Sequence, residues 1–170
     1  MEAIAICRHE MAQEIQALMD SVEEELFPGI ERVGLDEIPE SPDDAWVGLY
    51  ENGTLKGVLY ALKLEGFGGK HNVHVICAKD VRGNRAIQAL YLMGDRLFST
   101  PGVTELFAWI PRPWRHVRWV AGAIGLQSIP NSPFVWFINR KEWYASSRNS
   151  LNRRSRSQCS VKCTTSLVEK

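Results

Sequence analysis

Apolar residues are spaced in two ways along this chain, and the change from one spacing to the other predicts the order of its elements. A short apolar run, Ala3 to Cys7, predicts a first strand. Met11, Ile15, Leu18, Val22 and Leu26 follow at intervals of 4, 3, 4 and 4, the stripe of an amphipathic helix. Phe27-Pro28-Gly29 ends that helix, and the acidic stretch Asp36 to Asp44, with Pro39 and Pro42, reads as a loop or a short second helix. Strand-like runs, Trp46 to Tyr50 and Leu55 to Lys63, flank Glu51-Asn52-Gly53-Thr54. Asn-Gly between two such runs predicts a hairpin, because both residues tolerate positive φ. After the glycine-rich loop Glu65 to Lys70, His71 to Ala78 carries Val73, Val75 and Cys77 at alternate positions, as a half-buried strand does.

Ala86, Leu90, Met93 and Leu97 recur at 4, 3 and 4 and predict a helix ending near Ser99-Thr100-Pro101-Gly102. Val103 to Ile110 is rich in β-branched and aromatic residues and predicts a strand closed by Pro111. Pro113 suits the first turn of a helix whose apolar stripe is Val117, Val120, Ala121 and Ile124 and which Gly125 stops. Gly125 to Pro130 and Phe134 to Asn139 complete the body as two short strands. The predicted order is β-α-(α)-β-β-β-α-β-α-β-β, one α/β domain over residues 1–145. From Ser146 onward aliphatic residues are sparse among seven serines and six basic residues, which predicts a disordered basic tail over 146–170.

Charge sharpens this picture. The net charge of zero hides a segregation: residues 1–45 hold thirteen acids and two bases, 46–145 six and twelve, and 146–170 one and six. An acidic front and a basic middle point either to an anion-binding surface in the middle or to ordinary solvated helix faces. The longest mainly apolar run, Trp119 to Leu126, is too short to cross a bilayer, and the start lacks the basic and apolar regions of a secretion signal. A cytoplasmic protein without a membrane partner is the expectation. Cys7 and Cys77 fall in predicted strands, as small core hydrophobes. Cys159 and Cys163 are spaced C-x3-C with no histidine after His116, so no metal is expected.

From His71 to Leu126 run a strand, an Arg82-Gly83 turn, a helix, a strand ended by Pro111 and a helix leading into Gly125-Leu126. This order resembles the GNAT N-acetyltransferase superfamily, and the resemblance covers about residues 3 to 143. It implies a mixed, mostly antiparallel sheet with flanking helices, acetyl-CoA as cofactor, and an amine or a protein as acceptor. In that family, backbone N–H groups of the fourth strand, here as far as Cys77, polarise the thioester. The turn that follows reads Q/R-x-x-G-x-G/A and holds the coenzyme A pyrophosphate, as free helix-terminal N–H groups favour an anion. The corresponding run is Arg82-Gly83-Asn84-Arg85-Ala86-Ile87. Arg82 matches the pattern, whereas Arg85 and Ile87 stand at small-residue positions. Arg85 would either fill the groove or reach the phosphates with its own guanidinium.

Many such enzymes carry a tyrosine that protonates the leaving thiolate; counting back from Gly125 places Ala121 there, and Trp114 aligns near a common asparagine. The remaining candidates for proton transfer are His74, His116 and Glu65. Trp109, Arg112, Trp114, Arg115, Arg118 and Trp119 form an aromatic and basic cluster. Its arginines would meet the coenzyme 3′-phosphate, a nucleic-acid backbone or the acidic surface of a second subunit, or else the indoles pack the core while the arginines line its rim. The region from the fourth strand through the last helix is also similar to small GNAT-like proteins among bacteriophage head-assembly genes. That similarity implies a non-catalytic virion-assembly role in the host cytoplasm, with phage structural proteins as partners. Nucleic-acid binding through Arg153-Arg154-Ser155-Arg156 is the less favoured reading, since the basic run is short.

Overall fold

The computed structural model describes residues 1–26, 34–38, 41–81 and 84–146, with backbone alone at 23–26 and 84. Strand β1 (Glu2–Ala5) leads into helix α1 (Ala12–Leu26) and, after a 3-10 turn at Leu35–Glu37, into β2 (Ala45–Glu51), β3 (Thr54–Lys63) and β4 (Lys70–Cys77). A second 3-10 turn, Lys79–Val81, precedes α2 (Asn84–Phe98), β5 (Glu105–Trp109), α3 (Arg115–Ala123), β6 (Gln127–Ile129) and β7 (Ser132–Asn139). The predicted order holds, and its optional second helix is the Leu35–Glu37 turn.

The strands form one sheet in the order β1-β2-β3-β4-β5-β7-β6, with β4 and β5 the parallel pair and every other neighbouring pair antiparallel. The β2–β3 hairpin turns at Asn52 (φ 51°) and Gly53 (φ 76°), as their sequence requires.

Period-2 alternation gives the sheet two buried faces. Val47, Leu49, Leu59, Ala61, Leu106 and Ile138 pack with the stripes of α2 and α3, and Trp46, Val58 and Tyr60 pack with Ile15, Leu18, Met19 and Val22 of α1. The helices therefore lie on opposite faces, α1 on one and α2 with α3 on the other.

A helical segment at 140–146 follows β7, where the spacing of aliphatic residues predicts none. Its start is a capping box: Glu142 N–H donates to Asn139 Oδ1 (2.9 Å), and Asn139 N–H donates to Glu142 Oε2 (3.4 Å). Trp143, 2% exposed, fills the core from this segment, and its Nε1 donates to Asp95 Oδ1 at 2.6 Å. Cys7 corrects another expectation. It lies beyond the end of β1 and is exposed, because the strand stops at Ala5. Cys77 is half-buried against the α2-side core. Residues 147–170, including Cys159 and Cys163, fall outside the described residues. No helix among the described residues is long and apolar enough to cross a membrane.

Candidate functional site: a cleft between two parallel strands

Strands β4 and β5 start together and part. Their pairing comprises Lys70↔Glu105, His71↔Leu106 and Asn72↔Phe107. Beyond Asn72, β4 continues to Cys77 paired with β3 on one side, and no strand pairs with its other side among the described residues. The N–H and C=O groups of Val73 to Ile76 that point toward β5 thus border a cleft rather than a ladder, where backbone polar groups need a partner.

The closed end of this cleft is pinned. The Gly69 carbonyl accepts Thr104 N–H (2.8 Å), Glu105 N–H (3.1 Å) and Thr104 Oγ1 (2.8 Å). Gly69 sits at φ +74°, and a Cβ there would meet Thr104 Oγ1 at 2.4 Å, so only glycine fits this junction. Lys70 and Glu105, the first paired residues, also form an ion pair at 3.4 Å. The open end lies at the C-terminal ends of both strands. There α2 begins after β4 and α3 begins after β5.

Side chains alternate across the cleft wall. Val73 and Cys77 pack on the α2 side, with Val75 42% exposed between them. Asn72 and His74 point to the α1 side. His74 stacks on Tyr60 at 4.8 Å, Tyr60 stacks on Trp46 at 4.4 Å, and the Arg8 guanidinium lies 5.6 Å from the Trp46 ring centre. These rings meet because Trp46↔Tyr60 and Tyr60↔His74 are direct register partners. Asn72 Nδ2 lies 2.9 Å from His74 Nε2, and with the amide placed this way it donates to that nitrogen. Burial disfavours the imidazolium and holds the His74 pKa below its ordinary 6.5. The ring is therefore neutral near pH 7.

The other sequence candidates are spread more widely. Arg82 and Gly83 lie outside the described residues, and the backbone of Asn84 opens α2. Arg85 turns away from the cleft toward the β2–β3 hairpin, where it donates to Glu51 Oε1 and to the Asp80 carbonyl. The Glu51 hydrogen bond raises the Arg85 pKa, and a 2.8 Å bond from Lys56 lowers that of Asp80. Ala86 and Ile87 are half-buried, Ile87 against the main core. His116 is exposed on α3, on the opposite side of the sheet from His74, so the two histidines are not brought together. Glu65 is exposed in the turn before β4. Of the tryptophans near α3, Trp114 and Trp136 pack against the core, whereas Trp109 is 63% and Trp119 57% exposed. Sequence reasoning missed Asn72, whose position two residues before His74 on one strand face was the available signal.

No protein-family model and no curated protein sequence matches the chain. Solved structures do match its shape. A chimera of the spermidine N-acetyltransferase SpeG from Vibrio cholerae and hSSAT superposes with a TM-score of 0.63 at 11% identity, covering 85% of this chain and 99% of the other. The aminoglycoside acetyltransferase AAC(6')-Ib in complex with coenzyme A gives 0.62 at 12% identity, covering 85% and 97%. An acetyltransferase of the GNAT family from Streptococcus pneumoniae gives 0.55 at 12%, covering 80% and 97%. This is the GNAT fold. The parted parallel pair and the helices beginning at its open end are the parts of that fold bordering the cleft. At these identities the likeness is one of fold, and chemistry has to be argued from the chain's own residues.

Proposed function

We propose that the protein is an acetyl-CoA-dependent N-acetyltransferase whose cofactor lies in the cleft between β4 and β5. The observation that carries this reading is the backbone of Val73 to Ile76, left without a strand partner on the side where β5 has turned away. N–H groups at that edge would be donors for a thioester carbonyl oxygen, the requirement for stabilising an oxyanion during acyl transfer. The first turn of α2 contains no acid, which suits a pyrophosphate at Asn84, Arg85 and Ala86 with Arg82 and Gly83 ahead of them. Cys77, at the end of β4, would face the pantetheine side, and Ile87 would close the floor.

Bound there, acetyl-CoA supplies an activated thioester. The chain's own contribution is to position and to move a proton. Val73, Val75 and Cys77 border the α2 side of the cleft and His74 the α1 side, so the acceptor amine approaches from the His74 side. A neutral His74 is able to take the proton that the amine must lose once Asn72 Nδ2 releases Nε2, the ring's one acceptor nitrogen, and stacking on Tyr60 holds its ring. Exposed His116 is the weaker candidate because the sheet separates it from that side. Holding amine and thioester together supplies much of the acceleration, which suits a site without the tyrosine that Ala121 replaces.

A second reading, a GNAT-fold protein that binds partners in phage head assembly without catalysis, draws support from one observation. Arg85 is already engaged by Glu51 rather than free for phosphate.

Calorimetric titration with acetyl-CoA and free CoA separates the two readings. Saturable binding, weakened tenfold or more by Arg82→Ala and by Ala86→Asp, supports the cofactor cleft; about 1.4 kcal/mol corresponds to tenfold. A folded protein giving no heat at millimolar cofactor removes the enzyme reading and leaves the assembly role. Given binding, His74→Gln is expected to lower kcat while leaving CoA affinity unchanged.

A further inference from the structure

Folding turns the charge segregation of the sequence into two separate surfaces. Between Leu106 and Lys141 the chain contains no Asp or Glu. On the α3 side of the sheet Arg112 lies 5.4 Å from the Phe134 ring centre and Arg118 5.6 Å from that of Trp136. Phe134 and Trp136 share one face of β7, and on α3 Arg115 stands one turn from both Arg118 and Trp119, which links these groups into one patch. Its arginines have no acidic partner among the described residues. The Trp119 indole stands out of it, 57% exposed.

The opposite face of the sheet carries the complement. Helix α1 and the Leu35–Glu37 turn border a groove of about 930 Å³. Its apolar lining comes from Ala12, Ala17 and the edges of buried Leu35 and Ile38, its acids are Asp20, Asp36 and Glu37, and Arg8 and His9 are its bases, fewer than its acids. Asp20 bonds to the neutral Gln16 side chain, and neither it nor Asp36 has a cationic partner among the described residues. Since the groove and the α3 patch lie on opposite faces of one sheet, they are out of reach of each other within a single copy.

We propose that α3 of a second copy of this chain seats in this groove, with Trp119 on the apolar lining and Arg112 and Arg115 against Asp20 and Asp36. Trp and Arg are the residue types that dominate interface energetics, and here they face an apolar surface rimmed by the opposite charge. A net charge of zero removes the overall repulsion that would keep copies apart. The contact joins unlike surfaces, so each added copy presents a new groove and a new patch, and growth proceeds head to tail. This assembly uses neither the cleft nor its cofactor.

Sedimentation velocity of the full chain at rising concentration tests it. The average mass is expected to climb at low salt and to return to the monomer near 1 M salt, where the screening length falls to about 3 Å. Arg112→Glu with Arg115→Glu removes the patch, and Asp20→Arg with Asp36→Arg removes the groove; all four positions are exposed, and each double variant is expected to stay monomeric. An equal mixture of the two variants should grow again as an alternating chain, because one contact is intact and the other has its opposite charges exchanged. Three results overturn the proposal: wild type monomeric at low salt at every concentration, assembly surviving in either variant, or a mixture that stays monomeric. Assembly abolished by nuclease would also overturn it, assigning the patch to nucleic acid instead.

Discussion

Gly94 in the middle of α2 lies flat against the indole of Trp143: a Cβ at position 94 would stand 2.2 Å from Trp143 Cζ2 and 2.4 Å from Cη2. Glycine inside a helix costs about 1 kcal/mol relative to alanine. The cost is accepted because the close approach lets the segment after β7 bury its largest side chain against α2, Tyr91 and Phe98. Gly94→Ala is expected to destabilise the fold by about 1–3 kcal/mol despite its better helix propensity, since the ring has nowhere to move. Trp143→Ala should cost about 3–5 kcal/mol through the cavity it leaves. Urea unfolding of both variants checks this, and a stabilised Gly94→Ala would mean that the ring relaxes freely.

The segment at 140–146 depends on its start as well as on Trp143. Asn139 Oδ1 accepts the Glu142 N–H at 2.9 Å, which satisfies one of the helix-terminal donors. Asn139→Ala should lower stability by about 1 kcal/mol, and Glu142→Ala by less, because its return bond is the longer one at 3.4 Å. Thermal melts of the two variants give the comparison.

What could be read from the sequence and what could not have separate physical causes. The helix stripes, the Asn52-Gly53 hairpin and the order of elements along the chain are legible because each is a local pattern. The segment carrying Trp143 is not legible from apolar spacing because too few apolar residues mark it. The signal present was Asn139 followed three residues later by Glu142, a capping signature. The aromatic stack beside the cleft was not legible at all. A two-residue turn at Asn52-Gly53, continued without interruption, would set Trp46 opposite Leu59. The register shift between Leu49 and Tyr50 sets it opposite Tyr60 instead, which brings Trp46, Tyr60 and His74 onto one face. His74 was singled out for its chemistry, but its neighbours follow from a bulge that no residue type announces.

Gly69 governs where the parallel pair begins. Gly69→Ala would force a side chain to within 2.4 Å of Thr104 Oγ1 at a φ of +74°. The junction must shift, and the Thr104 and Glu105 N–H bonds to residue 69 weaken with it. An expected loss of about 2–4 kcal/mol follows from positive-φ strain together with the displaced contacts. Hydrogen exchange gives the location: the amides of Thr104 and Glu105 should lose protection well before those of β2 and β3. Uniform loss across the sheet would show that the junction is not a separate weak point.

His74 predicts how stability responds to acid. Its folded pKa lies below 6.5 because burial disfavours the imidazolium. Above that value both states carry a neutral ring and folding is unaffected. As the pH falls through 6.5, the unfolded chain takes up a proton that the folded chain refuses. Stability therefore declines from about pH 6.5 down to the folded pKa, below which the contribution is lost in full. Asp80 also has a lowered pKa, but its stabilisation is lost only well into the acid range, because its unfolded value is 3.8. The two effects therefore fall in different windows. His74→Gln removes the upper one, so the variant's melting temperature should fall less than that of the wild type between pH 7 and 5, while the two run parallel below the folded pKa. Parallel curves across the whole range would mean that His74 is solvated well enough to be protonated in the folded protein. A ring so solvated would be the stronger base toward an acceptor amine, because burial is what weakens the imidazole as a proton acceptor.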